Sequence, residues 1–185
     1  YPSHADQCTY INRYFDAPAE VTGYESPENT TAKRTFSAGS TLFISHSYTD
    51  GAGTVWGVWE EGGESCWVKL EDLKNVYDSR DFMDEHRAQI APYNGEMAGY
   101  AIENVLYLWS YPGSGVIDAK LSSGEAITED AFSSVYTAPD GARWAYIPYL
   151  YAMSGWVYVD DPENASLEPA ATAAPSPSPS LSPSQ

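Results

Sequence analysis

The chain has 185 residues, a formal net charge of −17 and 43% hydrophobic residues, with 15 Tyr and 6 Trp against 5 Phe. That length allows one large domain or two small ones, each with a core. The charge repels phosphate backbones and anionic headgroups, which argues against nucleic acid as a partner and against direct membrane contact by the folded part. No apolar run approaches the roughly 18 residues a membrane-spanning helix needs.

The start, Tyr1-Pro2-Ser3-His4, carries neither a basic region nor an apolar stretch and is expected to be a trimmed, mature N-terminus. Cys8 precedes the apolar pair Tyr10-Ile11. Tyr24-Glu25-Ser26-Pro27 then marks a loop, because proline fixes φ and removes a donor. Gly39 sits where a turn needs positive φ. The stretch Thr41 to Tyr48 alternates, so Leu42, Ile44, His46 and Tyr48 share one face of a half-buried strand. Asp50-Gly51-Ala52-Gly53 is a turn signal. Strands at Val55–Trp59 and Trp67–Leu70 flank a tip at Glu61-Gly62-Gly63-Glu64, which predicts a hairpin.

Asp78 or Ser79 then caps a predicted helix over Ser79–Ala91, with Phe82, Met83, His86 and Ile90 on one face and Pro92 as its stop. Asn94-Gly95 is a turn, and a second short helical piece is expected over Thr128–Ser134.

The landmarks of the first half then return. Trp109-Ser110-Tyr111-Pro112, Gly124, Trp144 and Trp156 follow the order of Tyr24–Pro27, Gly39, Trp56 and Trp67. Proline to glycine is 12 residues in both copies, and Trp to Trp is 11 in the first and 12 in the second. Agreement in order, type and spacing points to an internal repeat. Only the middle segment differs, with 17 residues from Gly39 to Trp56 and 20 from Gly124 to Trp144. Residues 170–185 read AATAAPSPSPSLSPSQ, an uncharged Pro/Ser tract expected to be a disordered, extended linker that spaces a folded head from an anchor.

The runs YESPENT, SAGSTLFI and GTVWGVWEEGGESCWVKLEDL, with GARWAYIPYLYAMSGWVYVDDPEN in the second copy, resemble the bacterial SH3-like (SH3b) repeat family. Ser154-Gly155-Trp156-Val157 matches the family's closing Gly-Trp-Val directly. The first copy departs there, with Cys66 in place of the glycine. The second departs earlier, with Ala145 where the first has Gly57. The Asn-Val-Arg stretch usual before the proline is missing from both copies. The DDPEN ending also resembles uncharacterised surface proteins of Gram-positive anaerobes. The resemblance implies a mainly β fold of two tandem small SH3-like β-barrels, over 10–76 and 102–162, with a connecting helix and linker over 77–101 and a Pro/Ser-rich disordered tail over 163–185. It also implies use outside the cell, at the cell surface or wall.

For an enzyme the signals are poor. Cys66 lies inside a predicted strand, whereas a cysteine nucleophile usually opens a helix or sharp turn, and no GxSxG elbow occurs. Glu71-Asp72 and Asp160-Asp161 lack the alternating loop of a calcium site, and no CxxC or spaced His suggests zinc. No catalytic residue, metal or cofactor is therefore expected. His46 reads as a core histidine, His86 as a packed or solvated one and His4 as part of a loose terminus. Trp56, Trp67, Trp144 and Trp156 recur and read as core. Trp59, Trp109, Tyr146, Tyr149 and Tyr151 are the candidate ligand-binding aromatics. One sheet face cannot bury all of Ala145–Tyr151, so either the two barrels pack through this segment or it forms an exposed aromatic groove. Cys8 and Cys66 are either a disulfide across neighbouring first and last strands or two separate thiols.

The expected function is a non-catalytic extracellular binding module, with a cell-wall peptide, a peptidoglycan fragment or another surface protein as partner. The alternative is a structural spacer or sensor ectodomain.

Overall fold

A computed structural model describes residues 4–167 and divides the chain into two compact units, Tyr1–Val76 and Tyr77–Gln185. Of the disordered tail expected over 163–185, residues 168–185 lie outside the described residues. The first part is not disordered, because Glu163 accepts from Tyr100, Glu103, Asn104 and Val105 and Leu167 packs on the aromatic cluster of the second unit.

The first unit is one antiparallel sheet of β1 (Thr9–Asp16), β2 (Val21–Tyr24), β3 (Ala32–Phe36), β4 (Thr41–Thr49), β5 (Val55–Glu61), β6 (Glu64–Lys69) and β7 (Lys74–Asn75). Its order is β3-β2-β6-β5-β4-β1-β7. The alternation of β4 holds for Leu42 and Ile44, which are buried in a core of Phe15, Val21, Phe36, Trp59, Cys66 and Val68. Burying each such apolar side chain contributes about 1.5–3 kcal/mol. A bulge between Ile44 and His46 then breaks the alternation, so His46 and Tyr48 pair with Val58 and Trp56 and do not share the face of Leu42 and Ile44 as the sequence predicts. Trp56, Val58 and Trp67 form a second cluster, against which Cys8, Tyr24 and Tyr48 pack. The hairpin tip falls on Gly62 and Gly63, both at positive φ (61° and 84°), the pairing that a two-residue hairpin turn requires.

The second unit begins with α1 (Ser79–Glu85). Its N-cap Asp78 accepts from the backbone N–H groups of Arg80 and Asp81, and Asp81 reciprocates. The helix is shorter than the sequence predicts. After His86 the chain makes a 3-10 turn at Arg87–Gln89 and enters β8 (Ile90–Pro92). Pairing of β8 with β11 overrides the helical periodicity of Ile90. Pro92 lies in an edge strand, where a missing N–H costs nothing. The other strands are β9 (Val105–Trp109), β10 (Ile117–Ser122), β11 (Ser134–Thr137), β12 (Arg143–Leu150) and β13 (Met153–Tyr158). The second helical piece is a 3-10 turn at Glu129–Ala131. Residues 77–101 are thus not a linker. Phe82 joins the aromatic cluster of this unit and Met97 its main core.

The second sheet has the order β10-β9-β13-β12-β11-β8, which matches β3-β2-β6-β5-β4-β1 position for position. Tyr24 pairs with Trp67 as Trp109 pairs with Trp156. Pro27 and Pro112 each fall three residues after the strand that precedes them. Gly39 and Gly124 both take positive φ, 82° and 90°. Neither sheet closes into a barrel by hydrogen bonds: among the described residues the outermost strands of each sheet are unpaired on one side. The edges carry Lys33 and Arg34 on β3, Lys74 on β7, Asp118 and Lys120 on β10 and Pro92 on β8. Charge and proline at an open edge discourage pairing with another chain.

Candidate functional site

The five candidate aromatics are not brought together. Trp59, in the first unit, is buried beneath Arg34, whose guanidinium lies 4.4 Å from the ring centroid. Arg34 Nη1 also meets Glu64 Oε2 at 2.5 Å. These three residues, with Lys33, Ser65 and Cys66, line a cavity of about 340 Å³. Its cation and its aromatic face already satisfy each other.

The other four belong to the second unit. Trp109 is 2% exposed and packs edge-on against Trp144. Tyr146 is half-buried against Trp156, ring centroids 5.0 Å apart. Trp156 is itself held by an indole N–H donated to Ser79 Oγ at 2.8 Å. Tyr149 and Tyr151 are exposed, at 72% and 58%. The register shift between Ile147 and Leu150, at Pro148-Tyr149, explains how a run of seven apolar and aromatic residues is divided. Ala145 and Ile147 go to the core, and Tyr149 is turned out.

The better site is a groove of about 290 Å³ in the second unit, lined by Pro112, Gly113, Tyr136, Trp144, Tyr158 and Leu167, with Ala138, Asp140 and Ala142 at its turn. Tyr136, Trp144 and Tyr158 are one cross-strand row, Tyr136 opposite Trp144 and Trp144 opposite Tyr158. Behind the row, Phe82 stands edge-on to Tyr136 at 4.9 Å and to Trp156 at 5.5 Å, so its wall is rigid.

Comparison with the first unit shows why this groove is open. The corresponding row is Tyr48–Trp56–Lys69. The turns leading to Trp56 and Trp144 share one backbone pattern. Asp50 N donates to Thr54 O and Gly53 N to Asp50 O; Ala138 N donates to Ala142 O and Gly141 N to Ala138 O. Asp50 therefore corresponds to Ala138. Asp50 Oδ2 accepts the Trp56 indole N–H at 2.9 Å, while its Oδ1 accepts Ala52 N and Thr54 N. In the second unit the aspartate has moved two places along, to Asp140, where it accepts Ala142 N. Among the described residues no acceptor stands against the Trp144 indole N–H, and that nitrogen is not sealed from water. The first unit's face is further covered by its own N-terminal segment. His4 stacks on Tyr48 at 4.2 Å, pairs with Glu28 at 2.7 Å, and is not loose as the sequence suggests.

The disulfide is not formed. Cys8 and Cys66 are both free thiols. The last strand beside β1 is β7 rather than β6, and the two thiols pack in different clusters. Burial pushes the Cys66 thiol up to about 11, the opposite of what a nucleophile needs. His46 is buried, with Nδ1 2.9 Å from Ser45 Oγ and Tyr10 over its ring; His86 packs on Phe82 and Tyr136. No cluster of three or more potential metal ligands occurs among the described residues, and none of their helices is long and apolar enough to cross a membrane. Asp160 pairs with Arg143.

Trp144 is core, as the sequence predicts, at 7% exposed beside Tyr136 at 5%, and only its edge reaches the groove; the sequence did not point to Tyr136, Tyr158 or Pro112 as lining residues. The available signal was the alternation on β11 and β13, which puts Tyr136 and Tyr158 on the same face as Trp144. No family model and no curated protein matches this chain.

Proposed function

We propose that this chain is a non-catalytic binding module displayed outside the cell, built of two SH3-like units, with the groove of the second unit as its ligand site. The observation that carries this reading is the row Tyr136–Trp144–Tyr158 with an unmet indole donor, at the place where the first unit closes the same row with Asp50. Rigid aromatic walls offer contact area at low entropic cost, and an indole N–H beside them selects a ligand carbonyl. An extended peptide or glycopeptide of the cell envelope, or an extended segment of a surface protein, has that chemistry. A free anion does not, because Asp140 stands at the rim and the chain carries −17. The matching strand orders and the recurrent landmarks support the tandem SH3-like reading.

The test is a binding screen of the protein against peptidoglycan fragments and envelope peptides, repeated with Ala138→Asp. That substitution restores the aspartate of the first unit beside Trp144. Binding by the unaltered protein with at least tenfold loss in the variant is expected. Equal binding by both would place the ligand elsewhere.

A further inference from the structure

Lys33 and Arg34 stand side by side on β3, the outermost strand of the first sheet, and both are exposed. Neighbouring residues of a regular strand point to opposite faces. Here the register with β2 slips. Arg34 lies opposite Gly23 and Ala32 opposite Tyr24, so Lys33 is an extra residue without a partner on β2. Such a bulge re-aims side chains, and both cations line the cavity of about 340 Å³ beside the β5–β6 hairpin. The geometry points to this cavity as a second binding site, which takes a small free monocarboxylate on Lys33 and Arg34. The site goes beyond the reading of the second unit's groove and does not depend on it. The bulge and the charge oppose pairing with an extended chain at this edge, so an extended envelope ligand is not the occupant.

Charge is the first argument. The chain carries 26 Asp and Glu against 9 Lys and Arg, yet this cavity holds two cations and a single carboxylate, Glu64. One further negative charge balances them, which fits a carboxylate better than a phosphate dianion in so acidic a chain. Lys33 meets no carboxylate among the described residues. Burial pushes the Cys66 thiol up, and Lys33 and then Arg34 pull against it, so the field of both cations reaches the cavity wall. Donors are the second argument. The stack of Arg34 on Trp59 uses the face of the guanidinium and leaves its edge. On that edge Nη1 donates to Glu64, while Nη2 and Nε meet no acceptor among the described residues. Ser65 adds a hydroxyl to the lining. Glu64 itself is the third argument. Its carboxylate already sits against Arg34, on a side chain 68% exposed beside the Gly62-Gly63 tip. An exposed ion pair of that kind contributes little, so a ligand carboxylate can take its place. The cavity's volume lies at the small end of ligand sites, which suits a small acid.

The experiment titrates acetate and benzoate into the full chain, with acetamide and benzamide as their uncharged counterparts and inorganic phosphate as a second anion. The ¹H–¹⁵N resonances of Arg34 Nε and the Trp59 indole are followed. At least one of the two carboxylates is expected to move both resonances saturably, and its amide to leave them in place. Lys33→Gln should weaken that carboxylate by about fivefold. Glu64→Gln removes the internal competitor and should tighten it by about threefold. Glu61→Gln removes the same charge opposite Glu64 across the hairpin and should change it by less than about twofold. Lys33, Glu61 and Glu64 are all exposed, so these variants keep the fold. A lack of saturable response to either carboxylate, an equal response to its amide, or tighter binding of phosphate would overturn the inference. So would equal effects of Glu64→Gln and Glu61→Gln, which would reduce the attraction to general charge. None of these readouts involves Trp144, so a failure here leaves the reading of the second unit's groove intact.

Discussion

The Trp56 indole N–H donates to Asp50 Oδ2 at 2.9 Å, and this clasp closes the first unit's aromatic row. The Trp56 N–H and then the Thr54 backbone N–H hold the Asp50 carboxyl below the usual carboxylate range. A carboxyl that is depressed in the folded state stabilises above its unfolded pKa and loses that contribution as pH falls through the folded value. Asp50→Ala should therefore lower the melting temperature of the first unit at neutral pH. Its penalty should shrink in acid below the ordinary range. Thermal melts followed by Trp fluorescence from pH 7 to pH 2 check both statements; a penalty independent of pH would mean that the carboxylate charge contributes nothing.

Cys66 and Gly23 form a size-matched pair. A Cβ on Gly23 would lie 2.5 Å from Cys66 Sγ and 3.3 Å from Phe36. In the second unit the sizes are exchanged. Gly155 corresponds to Cys66 and Leu108 to Gly23, and a Cβ on Gly155 would meet Leu108 at 2.9 Å. Gly23→Ala should cost about 1–3 kcal/mol through overpacking. Adding Cys66→Gly should recover part of that, which a double-mutant cycle by urea denaturation measures; additive losses would show the two sites to be independent.

Glu163 ties the segment after β13 to the start of β9. Its carboxylate accepts the backbone N–H groups of Glu103, Asn104 and Val105 and the Tyr100 hydroxyl, at 2.7–3.2 Å. Those donors, Glu103 N–H first, hold its carboxyl down at about 2 against an ordinary 4.5. Its contribution is complete above the ordinary value and is lost as pH falls through about 2. Glu163→Gln should lower stability at pH 7 and flatten the acid limb of the stability profile. An unchanged profile would show that the clamp is idle.

The β12–β13 turn places Tyr151 and Ala152 at φ 50° and 62° without a glycine. A left-handed residue costs about 1–2 kcal/mol, and glycine returns about 0.4–1 of that through the unfolded chain. Ala152→Gly should therefore raise stability by about 0.5–1 kcal/mol by chemical denaturation. A loss would mean that the turn depends on the Ala152 methyl.

Much of this fold is written in local chemistry. The alternation of Leu42 and Ile44, the Gly62-Gly63 tip and the positive-φ Gly39 and Gly124 each act on their own segment, so one sequence suffices to read them, whereas the bulge that turns His46 and Tyr48 to the other face carries no local signal. The end of α1 was not legible, because it depends on β8 pairing with β11 over 40 residues away in sequence. Closure of the sheets was not legible either, since it depends on edges meeting through space. The site was hidden by a third cause. The middle segments differ in length, so the correspondence of Asp50 with Ala138 emerges only from matching hydrogen bonds in the two turns. A proposed site that is distinguished by the absence of an aspartate has no motif of its own.

The central claim is that ligand is taken by the second unit at Trp144 and not by the first. The six Trp indole resonances, followed while an envelope peptide or peptidoglycan fragment that binds is added, test it most directly. The account predicts that Trp144 moves first and most, that Trp56, Trp59 and Trp67 stay in place, and that Ala138→Asp abolishes the response. A response centred on Trp59 or Trp56, or one that survives Ala138→Asp, would contradict it.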